Sequence, residues 1–257
     1  MKLTLIGNGN MAKALIYGLI KDYEVEVIGR NSKRLEELKS QIPQIEIKLL
    51  NDSFDMSEKN IILCVKPNSI ESISKILKGK ANYLFSILAG VKIDTLKANF
   101  EANSYIRAMP NLSAKYLKST TSIVGDKEAL DLANNIFSSI GKVVELNSEN
   151  ELDIATAIAG SGPAFLAIIA EALEDAGVIN GLQRKDSKLL VDSLFEGFSP
   201  LLQDEVNIQK SAIKNAVMSP NGTTSAGVKS LEEDSIRSAM IKAISKAYDR
   251  AIELAKS

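Results

Sequence analysis

The chain has 257 residues, 45% of them hydrophobic and 25% charged, with a formal net charge of −1; that leaves room for two domains of ordinary soluble composition. No block of one sign gives the footprint of a nucleic-acid binder, and neither a secretion signal nor a run of about 18 apolar residues is expected, so no membrane partner is. Histidine is absent and Cys64 is the only cysteine, which excludes a Ser-His-Asp hydrolase, a His-based dehydrogenase, His or thiolate metal sites and an internal disulfide; the expected compartment is the cytoplasm.

The first predicted element is a strand over Lys2 to Ile6. It turns at once into Gly7-Asn8-Gly9-Asn10-Met11-Ala12, and a helical pattern runs on through Lys21. A Gly-x-Gly-x-x-Ala string between a first strand and a helix is the setting of a dinucleotide-binding turn. Gly7 allows the tight turn, Gly9 lets backbone approach a pyrophosphate, and Ala12 lets helix and strand pack closely. The helix start offers free N–H groups and partial positive charge to phosphates. Gly7, Asn8, Gly9, Asn10 and Met11 are therefore expected to hold a dinucleotide. A second strand, Glu24 to Ile28, leads into Gly29-Arg30-Asn31-Ser32-Lys33-Arg34 and a helix over Ser32 to Lys39. An NAD enzyme usually places an acid here for the ribose hydroxyl. The cluster of Arg30, Asn31, Ser32, Lys33 and Arg34 suits a 2′-phosphate instead, with Arg30, Asn31 and Ser32 assigned to the cofactor; this favours NADPH with NADH as the alternative, and Ser32 is the expected N-cap.

Further strands are predicted over Glu46 to Leu49, Asn60 to Val65, Tyr83 to Ile87, Ser104 to Ala108, Thr120 to Val124 and Lys142 to Glu145, with helices over Ser69 to Leu77 and Lys127 to Ile140. This alternation predicts an α/β domain over residues 1–148, a Rossmann-type doubly wound parallel sheet with Cys64 as a core thiol in its strand. Ligands of such sheets bind beyond the carboxyl ends of the strands. Val65, Lys66, Pro67, Ala89, Met109, Pro110 and Asn111 follow strand ends and are assigned to the cofactor. Arg107 joins the last three in walling the nicotinamide end, or else is a surface ion-pair partner beside a plain turn.

After Asn147 the pattern is helical, and residues 149–257 are expected to form an all-α domain. Its five segments break near Gly160 to Pro163, Gly177 to Arg184, Asp204 to Asn207 and Ser219 to Gly222. The helix from Pro163 to Ala176 is apolar around most of its circumference and must be covered nearly all round. A self-contained bundle and interleaving with a second copy both satisfy that requirement. Gly160-Ser161-Gly162-Pro163-Ala164 is sound capping grammar. The Ser219 to Gly227 stretch joins a turn to a helix start carrying four hydroxyls, which suits a carboxylate without any Arg or Lys.

Together, Gly7-x-Gly9-Asn10-Met11-Ala12, Val65-Lys66-Pro67, Arg107-x-Met109-Pro110-Asn111, Gly160-Ser161-Gly162-Pro163-Ala164 and Ser219-Pro220-x-Gly222-Thr223-Thr224 run end to end along the chain. In that order and spacing they resemble the pyrroline-5-carboxylate reductases. The resemblance implies NAD(P)H-dependent reduction of 1-pyrroline-5-carboxylate to L-proline, the last step of proline biosynthesis. It implies that Ser219, Gly222, Thr223 and Thr224 hold the substrate carboxylate and ring nitrogen, with Thr224 the catalytic hydroxyl nearest that nitrogen. It also implies a homodimer through the helical domain, in some members a larger assembly of dimers, with the turn and the dinucleotide coming from different protomers. Asn221 departs from the family's glycine, Phe165 from its tyrosine, and Leu112-Ser113 from its Thr-Pro. Reduction of an imine suits a chain without histidine, because the nitrogen arrives protonated or takes its proton from a hydroxyl or water. Two rival readings fit less well. A β-hydroxyacid dehydrogenase needs a Lys in the first long helix of its second domain, where none stands. A dinucleotide sensor without catalysis has no use for an intact Ser219 to Thr224 turn.

Overall fold

The computed structural model describes residues 1–203 and 209–256; the expected break at Asp204 to Asn207 lies outside them. By mutual contact the chain sorts into two units, Met1–Ser161 with the residues from Lys246 onward, and Gly162–Ser245.

In the first unit the chain runs β1 (Lys2–Ile6), α1 (Asn10–Leu19), β2 (Glu24–Gly29), α2 (Ser32–Gln41), β3 (Glu46–Leu49), β4 (Phe54–Asp55), β5 (Asn60–Leu63), α3 (Ile70–Ser74), β6 (Leu77–Lys78), β7 (Lys80–Ser86), α4 (Ile93–Asn99), β8 (Glu101–Met109), β9 (Ser119–Gly125), α5 (Lys127–Ser138), β10 (Gly141–Glu145) and α6 (Glu149–Ala155). Eight strands form one sheet in the order β10-β9-β8-β7-β5-β1-β2-β3, and β4 and β6 pair separately. The chain leaves β1 toward β2 and β3, then returns to β5 on the other side of β1. That reversal makes the carboxyl ends of β1 and β5 the topological switch point, where such sheets bind ligands.

Alternating residues send the strands' side chains to two cores. Leu3, Leu5, Val27, Ile62, Phe85 and Ile123 pack with α1, α2 and α5 on one face, while Ile6, Ile28, Ile61, Leu63 and Leu84 pack with α3 and α4 on the other. Both faces are covered, as a parallel sheet requires. The sheet is parallel, as expected, at every ladder but one: β9 runs antiparallel to β8, with Ile106 opposite Gly125 and Ala108 opposite Ile123. The link from Met109 to Ser119 holds only a short 3-10 helix, Leu112–Tyr116, and a parallel crossover needs a dozen or more residues.

Other boundaries also move. The expected helix over Ser69 to Leu77 is a 3-10 turn (Pro67–Ser69), the short α3 and then β6, because Pro67 starts the turn one residue after Lys66. Asn31, and not Ser32, caps α2: its side chain accepts from Arg34 N at 3.0 Å. Strand β5 stops at Leu63, so Cys64 stands just past the strand, a free and partly exposed thiol packed against the core of one face.

The second unit holds α7 (Gly162–Ile179), α8 (Arg184–Leu201), α9 (Lys210–Ala216) and α10 (Thr223–Glu233), followed by α11 (Ile236–Lys256), whose residues from Lys246 count with the first unit. Helices α7 and α8 pack together: Ser187 Oγ donates to Glu174 O at 2.7 Å, and a side chain on Gly177 would overlap Ser187. Yet no residue of α7, the most apolar helix of the unit, is buried. A self-contained bundle would have buried its central helix, so that reading is set aside. The helical stretch Glu149–Ile179 reaches the length and mean hydropathy of a membrane span, a test that the core helices of soluble proteins also pass; Ser, Gly and Glu interrupt it, so it is not a run of consecutive apolar residues.

Candidate functional site

Gly7 follows β1 with φ +117°, and a Cβ there would stand 2.6 Å from Cys64 O. Only glycine fits such a position. Its N–H donates to Ile28 O at 2.8 Å, and Cys64 N donates to Ile6 O at 2.8 Å, which ties the ends of β1, β2 and β5 together. Gly9 caps α1 without any side-chain hydrogen bond to the helix start, and a Cβ on Gly9 would meet nothing within 4 Å. The first N–H groups of α1 therefore face open space across bare backbone. Ala12, one turn in, is wholly buried. Asn8 lays its amide over Gly29 at the end of β2, and its buried Nδ2 finds no hydrogen-bond partner among the described residues. A buried donor without an acceptor costs roughly 1–3 kcal/mol. An oxygen-rich ligand lying along this turn would supply the acceptor, so the residues present fit a dinucleotide.

Two cavities open from the turn within the first unit. One, of about 440 Å³, is lined by Asn8, Gly9, Asn10, Lys13, Arg34, Glu37, Leu38, Gln41 and Lys66. It gathers three cations near the helix start, with Lys13 Nζ bonded to Gln41 Oε1. The other, of about 390 Å³, is lined by Met11, Cys64, Val65, Ile87, Met109, Pro110, Asn111, Leu112, Thr156, Gly160 and Ser161. Its wall is mostly apolar, and burial pushes the Cys64 thiol well above the usual thiol range, so this sulfur stays protonated and unreactive.

The structure thus brings together Asn8, Gly9, Asn10, Met11, Val65, Lys66, Met109, Pro110 and Asn111 around the two cavities, with Gly7 holding the turn beneath them. Arg30, Asn31, Ser32, Pro67 and Ala89 follow strand ends as expected but line neither cavity. Arg34, Lys13 and Gln41 do line one; Arg34 belongs to the basic cluster that the sequence offers to a 2′-phosphate, whereas Lys13 and Gln41 were missed, because their spacing on α1 and α2 reads as ordinary solvated helix face. Thr156, Gly160 and Ser161 were missed because they stand after α6, far from the sheet motifs in sequence.

Arg107 departs from both sequence readings. It is 2% exposed, neither on the surface nor on the cavity wall. Its Nη1 donates to Glu149 Oε1 at 2.8 Å and its Nη2 to Asp153 Oδ1 at 3.0 Å. Lys92 Nζ reaches Asp153 Oδ2 at 2.6 Å, and Ile93 N donates to Glu149 Oε1 at 2.9 Å. These bonds clamp α6 to β8 and to the start of α4.

In the second unit, Ser219 to Ser225 forms the hydroxyl-lined turn. Asn221 takes the left-handed conformation at φ 58°, which asparagine tolerates better than most residues. Gly222 N donates to Ser219 O at 3.0 Å, and Ser225 Oγ donates to Ser219 O at 2.5 Å. Gly222 is the N-cap of α10 and has no side chain to cap it. The N–H groups at Thr223 and Thr224 are thus left beside two hydroxyls, an anion-binding arrangement. Among the described residues no group of carboxylates and cysteines could hold a metal ion.

Residues 149–254 match the family model for pyrroline-5-carboxylate reductase dimerisation, and residues 2–90 match the model for NADP oxidoreductase, coenzyme F420-dependent. A pyrroline-5-carboxylate reductase of Synechocystis is 36% identical over 100% of this chain and 99% of its own. The crystal structure of the 1-pyrroline-5-carboxylate reductase of Streptococcus pyogenes superposes with a TM-score of 0.86 at 28% identity, covering 98% of each chain. That of the Plasmodium falciparum pyrroline carboxylate reductase, solved with NADP bound, superposes at 0.82 and 26% identity, over 99% of this chain and 100% of that one. With its dinucleotide turn, its hydroxyl-lined helix start and relatives matched over their whole length, the chain belongs to the pyrroline-5-carboxylate reductase family.

Proposed function

We propose that this chain reduces 1-pyrroline-5-carboxylate to L-proline, with NADPH laid along Gly7 to Met11 and its nicotinamide in the cavity walled by Met11, Val65, Met109 and Pro110. The observation that carries the reading is that cavity: an apolar slot at the carboxyl ends of β1, β5 and β8, opening from an uncapped helix start. An apolar slot suits a flat nicotinamide ring, and the helix start suits a pyrophosphate.

The dinucleotide, when bound, supplies the hydride. The chain's own residues have two tasks, to orient the imine carbon and to keep the nitrogen protonated. The N–H groups opening α10 with the Ser219 and Thr223 hydroxyls hold the carboxylate, and Thr224 Oγ hydrogen-bonds the ring nitrogen. Holding two reactants in register accounts for most of such an enzyme's work, since the cofactor carries the chemistry. Arg34, Lys13 and Lys66 favour NADPH over NADH by presenting positive charge to a 2′-phosphate. Two copies pair through residues 149–257, whose α7 face is apolar and unburied in the single chain.

NADPH consumption is followed with pyrroline-5-carboxylate and, as a control, with a 3-keto acid. Turnover is expected with the imine alone; well-folded protein that reduces only the keto acid would sink the reading. Thr224→Ala should lower kcat about 100-fold or more with NADPH affinity, read by fluorescence titration, nearly unchanged. A matching loss of NADPH affinity would move Thr224 to the cofactor.

A further inference from the structure

The wall of the apolar cavity is built in part from a single wide turn. After α6 the backbone continues as a π-helix over Thr156–Gly160, with Ser161 N donating to Thr156 O at 3.1 Å, five residues back. Such turns cost stability and recur at functional sites. The cause here is in the sequence. Residue 163 is proline, whose ring would clash with the carbonyl four residues earlier in an α-helix and which has no N–H to give it. That carbonyl belongs to Ala159. With proline at 163, Ala159 O has no N–H donor four residues on.

Asn111 makes up the difference. Only 8% exposed, it donates from Nδ2 to Ala159 O at 3.0 Å and accepts at Oδ1 from Ser113 N at 3.1 Å. Its backbone N–H goes to Ser119 Oγ at 3.1 Å. Both ends of the side-chain amide are thus committed to protein. One end holds the π-turn and the other the start of the 3-10 helix at Leu112, and both neighbours line the cavity.

We infer that Asn111 is a positioning residue: it gives the Ala159 carbonyl the hydrogen bond that Pro163 cannot, and so holds Thr156, Gly160 and Ser161 as the wall of the nicotinamide-side cavity without binding the dinucleotide through its side chain. The inference rests on the assignment of that cavity to the nicotinamide.

The test is a double-mutant cycle on the full chain with NADPH and pyrroline-5-carboxylate. Asn111→Ala should lower kcat/KM roughly 10-fold or more, since a wall displaced by about 1 Å can cost about 100-fold. The NADPH dissociation constant, read by fluorescence quenching, should change less than about 3-fold, because the phosphates are held elsewhere. Adding Pro163→Ala restores a backbone N–H at 163 and should recover part of the loss, so that the two changes are not additive. Parallel losses of NADPH affinity and turnover, with no recovery from Pro163→Ala, would overturn the inference in favour of direct cofactor contact. Folded Asn111→Ala protein with unchanged kinetics would overturn it too. If the single variant does not fold, recovery of folding in the double variant supports the inference and its absence refutes it. Gly160→Leu separates this from the cavity assignment: a Cβ at Gly160 meets only Thr156 Cγ2, at 3.5 Å, so the larger side chain fills the slot. Unchanged turnover in Gly160→Leu would remove the cavity assignment itself, whereas lost turnover there with inert Asn111 variants would remove only the positioning role.

Discussion

Arg30 and Arg34 stand four residues apart, and only the second lines the cation-rich cavity. The difference comes from the cap. Asn31 Oδ1 accepts from Arg34 N, so α2 starts with Ser32 and places Arg34 at its third position, with Arg30 still outside the helix. If the 2′-phosphate is read here, Arg34→Ala should weaken NADPH about 10-fold or more, the value of one charge-assisted hydrogen bond of about 1.5–3 kcal/mol. NADH should change little, and Arg30→Ala should have the smaller effect on NADPH. Titration of both cofactors checks this, and equal weakening of the two would refute it. At this scale the glycine turn was legible because sterics leave no choice at Gly7: a left-handed φ and a carbonyl 2.6 Å from any Cβ admit no other residue. The roles of Asn8, Lys13 and Arg34 were less legible, since a polar residue near a helix start reads alike whether it faces a ligand or water.

Among the elements, α6 is held by a buried charge cluster beside the buried Leu152. Arg107 and Asp153 are both almost fully buried, and Glu149 and Lys92 complete the cluster. Removing one partner of a buried pair leaves the other uncompensated, at a cost of about 3–5 kcal/mol. Arg107→Met, of similar length, should therefore lower unfolding stability in urea by about that amount, although Lys92 still neutralises part of Asp153. A loss under about 1 kcal/mol would mean that the cluster is solvated in solution. The sequence placed Arg107 at a strand end but not its partners, which lie 42 and 46 residues further on. Most of the longer strands were readable as short apolar runs rich in β-branched residues, as strands buried on both faces are. The two-residue β4 and β6, the short α4 and the antiparallel direction of β9 were not, because they depend on what the neighbouring strands leave free.

For the molecule as a whole, the decisive fact is an apolar helix without a core. Ile168, on α7, is 64% exposed in a helix with no buried residue. A second copy is the cover that the match to a dimerisation family model supports. Ile168→Asp should then raise the dimer dissociation constant roughly 100-fold or more, equivalent to about 3 kcal/mol, in sedimentation experiments on the full chain. Turnover should fall with dimer content; an unchanged sedimentation profile would place the contact on another face. The sequence by itself determined the alternation of the longer strands and helices, the dinucleotide turn, the hydroxyl-lined helix start and the absence of histidine chemistry. These follow from local sterics and from which functional groups the chain contains. Only the tertiary structure decided that Arg107 is a buried clamp, that Arg34 and not Arg30 faces the cavity, and that Asn111 reaches a carbonyl 48 residues away. Those facts depend on which distant groups share one small volume, and that is set by packing.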